Sequence, residues 1–419
     1  MGVNKITECR VCQDKNIRGF FDLGNQPYAN SLLKSAGEKE KSYPLSLSWC
    51  PTCSLVQLNH TADPVELFSS YVWVTATSKT AHEHATNFYN EVMARVKSLK
   101  DSYVLEIASN DGTFLLPFLH DKHKVLGIDP AKNIAEIAEK TGVPTIVDFF
   151  GIKAAKKIVK EHGRARVVFA RNVIPHVTNL HDVVRGMSLC LEDDGLMIIE
   201  AHYAKIILEG LHYDSIYHEH LCYFTLKSME YLLAKHDLHV VDITPSPISG
   251  GSMVLYIKKQ KVSQKIIVSK RVEEYRKEEE RLRINDFKNW KSFALRAHKH
   301  RKQLLKILND VIAKEGLVVG WGASARSSTM LNFCGIDYHL VSMIADQSSL
   351  KQGLYTAGTH IPIFCPDDVM RRGPKTMLIL AWNFNKEIID NLRKKYGFNG
   401  KCILPLPNSP KVVDLRGLK

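Results

Sequence analysis

The densest chemistry in this chain lies in Tyr213-Asp-Ser-Ile-Tyr217-His218-Glu219-His220. Two histidines, a glutamate and a tyrosine in four consecutive residues can titrate together, with His as base and Glu or Tyr as orienting group. An extended chain would put His218 and His220 on one face, whereas a helical one brings Tyr217 towards His220, and the sequence does not choose. A metal site on His218 and His220 lacks a third ligand at fixed spacing and ranks below acid–base use. A second set is Cys9-x-x-Cys12 with Cys50-x-x-Cys53, two knuckles that offer four thiolates to one tetrahedral zinc. The 37 residues between the pairs must loop out and return. A redox role for two such pairs in one domain is the weaker alternative. Cys190, Cys222, Cys334, Cys365 and Cys402 are scattered and read as buried free thiols.

A third set consists of acids and polar residues at the ends of short apolar runs. Tyr103 to Ile107 is β-prone and contains Glu106, and the turn Ala108 to Gly112 carries Asn110, Asp111 and Gly112 into an apolar stretch from Thr113 to Leu119. Lys124 to Ile128 ends in Asp129, 17 residues beyond Gly112, where an acid can accept both hydroxyls of a ribose. Pro144 to Val147 ends in Asp148 and Phe149, suited to the edge and face of an adenine ring. Val167 to Ala170 ends in Arg171-Asn172, and Gly195 to Ile199 in Glu200. Strands with functional groups at their carboxyl ends, separated by helical stretches, predict a Rossmann-like doubly wound sheet. The G-x-G-x-x-G of a dinucleotide site is absent. Together Glu106, Asp111-Gly112, Asp129 and Asp148 resemble the S-adenosylmethionine site of class I methyltransferases.

The segment Tyr71 to Ser78, rich in hydroxyls and aromatics, precedes the first strand and reads as a lid or as plain connecting structure. Strands are expected at His239 to Thr244 and Ser252 to Lys258. From Glu273 to Ile312, Phe287, Trp290, Ala294, Ala297, Leu304, Leu305, Leu308 and Val311 recur at helical spacing, which predicts a long amphipathic helix or helix pair bridging two domains. A second α/β unit opens at Gly316 to Val319 with the turn Gly320-Trp321-Gly322-Ala-Ser324-Ala-Arg326, a glycine-rich strand-turn-helix that suits an anion. Further strands are expected at Leu340 to Ala345 and Thr376 to Ala381.

With 419 residues, 45% of them hydrophobic and 24% charged, the chain has room for two or three domains of a soluble protein. No run approaches a membrane span and no apolar signal core opens the sequence, so a cytoplasmic protein with no membrane partner is expected. The net charge of +13 would suit an anionic partner, but the basic residues are spread along the chain.

Taken in order, the two C-x-x-C pairs, V-L-E-I-A-S-N-D-G-T, N-V-I-P-H from Asn172 to His176, Y-H-E-H, G-W-G-A-S-A-R, K-Q-G-L-Y-T-A-G-T-H-I-P-I from Lys351 and A-W-N-F from Ala381 resemble the nucleotide-sugar C-methyltransferases over nearly the whole length. The resemblance implies a zinc-binding domain (1–68), an S-adenosylmethionine-binding methyltransferase domain (69–262), a helical bridge (263–312) and a carboxyl-terminal α/β domain for the sugar nucleotide (313–419). It implies His220 as base, with Tyr217, Glu219 and His176 in the sugar pocket. Tyr71, Ser78, Glu106, Asn110, Asp111, Gly112, Asp129, Asp148, Phe149 and Asn172 would serve the methyl donor. The substrate would meet His218, Gly250, Gly251, Gly322, Ser324, Arg326, Lys351, Tyr355, His360, Trp382 and Asn383. Three places depart from the family pattern: Arg171 where an asparagine pair is usual, Ser249 in the family's H-G-G-S, and Arg326-Ser327 in its G-A-x-A-K-G. All border the substrate.

The implied reaction removes the C3 proton of a nucleotide-diphosphate 4-ketosugar and methylates the enolate. A monomer or weak dimer with no nucleic-acid partner is expected. The rivals are an epimerase or dehydratase using the same base, and a zinc-containing nucleic-acid-binding protein.

Overall fold

The computed structural model describes residues 3–68, 75, 79–260 and 266–416, so Tyr71 and Ser78 lie outside the described residues. The amino-terminal sheet contains β1 (Arg18–Gln26), β2 (Tyr43–Trp49) and β3 (Val56–Leu58), antiparallel in that order. Helix α1 (Lys79–Met93) then leads into alternating strands and helices: β4 (Tyr103–Ile107), α2 (Leu116–His120), β5 (Lys124–Asp129), α3 (Lys132–Lys140), β6 (Thr145–Val147), α4 (Ile152–His162), β7 (Ala165–Arg171), α5 (Leu180–Cys190) and β8 (Leu191–His202). After α6 (Ala204–Gly210) a short strand β9 (Cys222–Tyr223) leaves this region to pair with β3 of the amino-terminal sheet, Cys222 opposite Gln57 and Tyr223 opposite Val56. The chain returns through α7 (Leu226–Ala234) to the hairpin β10 (Leu238–Ser246) and β11 (Ser252–Lys259).

The central sheet runs β10-β11-β8-β7-β4-β5-β6. Strands β8, β7, β4, β5 and β6 are parallel, and β11 is antiparallel to β8. Strand order therefore reverses at β4, whose neighbours are β5 and β7, and the crevice at the carboxyl ends of β4 and β7 is the natural ligand site of such a sheet. All five residues of β4 are buried, as expected of a strand covered on both faces by helices.

Two helices, α8 (Lys270–Arg281) and α9 (Phe287–Glu315), follow. The apolar stripe of α9 buries Trp290, Phe293, Ala297, Leu304 and Leu308, with Phe293 edge-on to Phe21 of β1 at 5.8 Å. The helix thus ties the amino-terminal sheet to what comes after it. A second parallel sheet holds β12 (Val318–Trp321), α10 (Ala325–Cys334), β13 (Ile344–Ala345), β14 (Ile363–Phe364), α11 (Pro366–Arg371), β15 (Thr376–Ile379), α12 (Asn385–Tyr396), β16 (Lys401–Leu404) and an antiparallel β17 (Lys411–Asp414). Its order is β14-β13-β12-β15-β16-β17, so order reverses again, at β12.

The strand expected over Leu340 to Ala345 is shorter, because the Leu340 and Val341 amides both return to the Asp337 carbonyl in a turn. Of the scattered cysteines, Cys365 is only half-buried, the other four being buried. Among the described residues no helix is long and apolar enough to cross a membrane.

Candidate active site

The two cysteine knuckles repeat one another. In each, the amide four residues on returns to the first cysteine's carbonyl, Gln13 to Cys9 and Ser54 to Cys50, and Gln13 and Ser54 both take positive φ, 62° and 64°. The repeat brings four sulfurs within 4.8 Å of one another, with Cys9 and Cys53 at 3.4 Å and Cys12 and Cys50 at 3.3 Å. A tetrahedral zinc with bonds of about 2.3 Å separates its sulfurs by about 3.8 Å, so the donor set fits the ion. Four protein ligands leave no open position, which makes the metal structural.

At the first switch in strand order, Glu106 is buried and its Oε2 has no hydrogen-bond partner among the described residues. Burial drives its carboxyl well above the usual range, against the pull of Arg171. The following turn takes positive φ at Ala108, Asn110 and Gly112, and a Cβ on Gly112 would sit 2.9 Å from the Val143 side chain. Asp129, at the end of β5, accepts the Asn110 and Ala131 amides, each at 2.9 Å. Asn110 Oδ1 accepts the amide and hydroxyl of Thr75, both at 3.0 Å. Asp148 and Phe149 are exposed at the outer end of the crevice, and Asn172, with φ of 52°, donates its amide to the Glu200 carbonyl. An open carboxyl oxygen, a turn that only a small residue can follow and a second acid on the next strand suit an amine and a ribose.

Glu200, which the sequence reading did not put in the site, is fully buried among Arg171 (2.8 Å), His84 (3.1 Å) and Ser246. Although burial raises its carboxyl, Arg171 and His84 outweigh that and bring it down to about 2.

The signature is neither strand nor helix. The His220 amide returns to the Tyr217 carbonyl, closing a tight turn that brings the rings of these two residues to 4.0 Å, tilted by 35°, and swings His218 to the other side. His220 Nδ1 lies 2.8 Å from the Ser215 carbonyl, which can only accept, so Nδ1 carries the hydrogen and Nε2 the lone pair. Tyr217 donates its hydroxyl to that Nε2 at 2.8 Å. Burial, helped by neighbouring His176, holds the His220 imidazole well below its ordinary pKa. The ring centroid of His176 is 4.8 Å away, its Nδ1 lacks a partner among the described residues, and burial lowers it to about 4. His218, expected against the substrate, instead packs edge-on to Tyr28 and Tyr43 of the amino-terminal domain, because the turn that joins residues 217 and 220 turns it outward. Glu219 is buried and accepts Asn30 Nδ2 at 2.6 Å.

The second switch in strand order meets the signature from the opposite side. Gly322, with φ of 95°, allows β12 and β15 to close up: an added Cβ would lie 2.6 Å from that of Ala381. Arg326 forms a two-bonded pair with buried Asp214, at 3.0 and 2.9 Å, and Trp382 donates to the same carboxylate at 2.7 Å. The turn expected to await an anion is therefore largely satisfied by the chain itself, since Asp346 accepts the Ala323 amide and Ser324 and Ser327 cap each other. Ser324 and Lys351 line a cavity of about 260 Å³. His360 pairs with Glu40 at 2.8 Å, Tyr355 bridges to Leu33, and Asn383 is half-buried beside Trp382. Gly250 faces Arg326 and His212, and Gly251 faces Ile206. His202 and His212 were missed by the sequence reading. Both are buried, with His202 Nε2 and His212 Nδ1 unpartnered among the described residues, and they stand as isolated histidines in the sequence.

Three family models match successive parts of the chain: a zinc binding domain over residues 9–68, a methyltransferase domain over 81–243 and a C-methyltransferase C-terminal domain over 247–407. C-methyltransferase NovU of Streptomyces niveus is 32% identical over 414 residues, 98% of each chain. Among solved structures, magnesium protoporphyrin IX methyltransferase of Synechocystis PCC 6803 with bound SAM aligns over 43% of this chain and 80% of its own, at 9% identity and a TM-score of 0.34. A SAM-dependent methyltransferase of Anabaena variabilis aligns over 42% and 85%, at 16% identity and 0.35. On the family models and the full-length likeness to NovU, with the strand order and crevice already described, the chain belongs to the C-methyltransferase family: a zinc-binding, S-adenosylmethionine-dependent enzyme.

Proposed function

We propose that the enzyme removes the C3 proton of a nucleotide-diphosphate-linked 4-keto-deoxysugar and methylates the resulting enolate, as a cytoplasmic step of branched-chain deoxysugar biosynthesis. The observation that carries the reading is the run from the Ser215 carbonyl through His220 to the Tyr217 hydroxyl, with a neutral imidazole whose Nε2 bears a lone pair. A carbon beside a ketone becomes nucleophilic only after losing its proton, and a base held neutral at working pH is ready to take it. His220 Nε2 accepts the proton, while the Ser215 carbonyl holds Nδ1–H and steadies the imidazolium. Tyr217, displaced from Nε2, turns its hydroxyl to the enolate oxygen, beside the buried His176 ring. Since burial keeps His176 neutral as well, it adds no positive charge beside the base.

S-adenosylmethionine supplies an electrophilic methyl group when bound. Glu106, Asn110, Asp111 and Gly112 would hold it, with Asp129 on the ribose hydroxyls. Ser324 and Lys351 would face the nucleotide half of the substrate, and Gly250, His202 and His212 the sugar half.

The test uses dTDP-, GDP- and CDP-linked 4-ketosugars with labelled methyl donor, and follows exchange of the C3 proton in heavy water. In His220→Asn, exchange and methyl transfer should fall together by about 10²- to 10⁴-fold, with S-adenosylmethionine affinity unchanged. Retained exchange in that variant, with loss in Tyr217→Phe, would move the base elsewhere.

A further inference from the structure

The zinc domain sends an arm across the molecule. Between β1 and β2 the chain leaves the sheet, and residues 27–42 reach the carboxyl-terminal domain. Leu33 and Tyr355 exchange backbone hydrogen bonds at 2.9 and 2.8 Å. Glu40 accepts the Gly358 amide and pairs with His360, both at 2.8 Å. Just ahead of the first tie, Asn30, Ser31 and Leu32 line the 260 Å³ cavity together with Ser324, Ser327 and Lys351. Asn30 also donates to Glu219 Oε1 at 2.6 Å, so one arm residue touches both the cavity and the Y-H-E-H signature.

Resting on the sugar-nucleotide reading above, we propose that this arm is the second wall of the nucleotide subsite and that Asn30 is a positioning residue that orients Glu219 when the subsite is filled. The cavity is smaller than the roughly 300 to 1,000 Å³ of a pocket that encloses a whole drug-sized ligand, so it takes one portion of the substrate. Its hydroxyls and the Lys351 ammonium suit a nucleoside and its phosphate. Glu219 is a buried carboxylate and depends on its donors, of which Asn30 comes from another domain. Asn30 itself is exposed towards the cavity, so a ligand there removes water from around the Asn30–Glu219 bond and strengthens it. Binding at one end of the substrate is in this way transmitted to a residue beside the base.

The test takes the full zinc-loaded chain through four variants. Asn30→Ala should lower kcat for the sugar nucleotide about tenfold or more, the loss expected for a hydrogen bond to a charged group, with zinc content and S-adenosylmethionine affinity as in the wild type. Asn30→Asp, of the same shape, sets a second carboxylate against Glu219 and should be slower than Asn30→Ala; Asn30→Gln, which keeps the donor, should recover part of the rate. Ser31→Trp fills the cavity and should weaken binding of a free nucleoside diphosphate, measured by calorimetry with UDP, GDP and dTDP. Wild-type rates in both Asn30→Ala and Asn30→Asp would overturn the positioning role, and unchanged nucleoside diphosphate affinity in Ser31→Trp would remove the arm from the subsite. Failure of the wild type to methylate any 4-ketosugar in the panel would instead overturn the substrate reading, and nucleoside diphosphate binding would still decide the fate of the wall.

Discussion

The two switch points of this molecule start from one plan and end in opposite states. In each, a buried strand runs into a glycine turn, and the acid closing the next strand caps the turn: Asp129 takes the amides of Asn110 and Ala131, while Asp346 takes those of Ala323 and Ser348. In the first, Glu106 is left buried with an open oxygen. In the second, Ser324 and Ser327 cap each other, Lys351 comes within 3.7 Å of Asp346, and Arg326 is tied to Asp214. Sheet topology makes a crevice at both places. The side chains around each one decide where its polar groups are satisfied: the first keeps an acid open in the crevice, whereas in the second the turn itself is satisfied by the fold and only the cavity beside it, lined by Ser324 and Lys351, remains for a ligand.

The largest expected effect tests how the open crevice is held. Glu200→Gln leaves Arg171 buried without its counter-charge and should destabilise the fold by about 3 to 5 kcal/mol in chemical denaturation, the usual result of breaking one side of a buried pair. The native carboxyl is lowered to about 2, so its stabilising effect is present above the ordinary carboxyl range near 4.3 and is lost as pH falls towards 2. The variant should therefore lack that part of the acid-induced loss of stability. A stability equal to wild type at neutral pH would show that the crevice does not depend on this pair.

Next come the two acids at equivalent turns. Asp129→Ala should weaken S-adenosylmethionine binding by about ten- to a hundredfold in calorimetry, whereas Asp346→Ala should leave that affinity alone and lower thermal stability by about 1 to 2 kcal/mol through the uncapped turn. Equal effects on the methyl donor would erase the distinction between the two crevices. Gly322→Ala sharpens the same contrast from the backbone. It combines a φ of 95° with a contact of 2.6 Å, and should cost about 1 to 3 kcal/mol with no loss of S-adenosylmethionine affinity in the folded fraction.

The smallest effect concerns Glu106. Its carboxyl is raised by burial, so the folded chain holds a proton that the unfolded chain releases, and stability falls as pH rises through and above the ordinary carboxyl range. Glu106→Gln removes that slope. Thermal unfolding between pH 5 and pH 8 should show the variant gaining on the wild type as pH increases, and parallel curves would mean that Glu106 is ionised in the folded state.

Much of the central sheet was legible because its strands are short apolar runs ending in polar turns. Tyr103 to Ile107 is a strand from its first residue to its last, and the expected runs at residues 124–128, 167–170 and 252–258 each lie inside an observed strand. The strand that came out shorter has a local cause, since the turn at Asp337 cut into a run whose composition alone suited a strand; the relation of His218 to His220, which the sequence left open, was set by the i to i+3 turn at Tyr217. The acids of the first crevice stood out since each lies in, just after or at the end of a short apolar strand. Glu200 was noted only as a strand end, because what makes it notable is its company: Arg171, His84 and Ser246 lie 29, 116 and 46 residues away along the chain.

The sequence by itself determined the two zinc knuckles, the alternation that builds two parallel sheets, and the Tyr-His-Glu-His cluster, since each is written in spacings of a few residues and depends on local geometry. Only the tertiary structure decided that Cys222 and Tyr223 extend the zinc domain's sheet, that Asp214 holds Arg326 and Trp382, and that Asn30 reaches Glu219. Those contacts join residues more than a hundred positions apart, and no periodicity or spacing encodes them. They form when separate cores pack together and buried polar groups must find whatever partners the packing brings within reach.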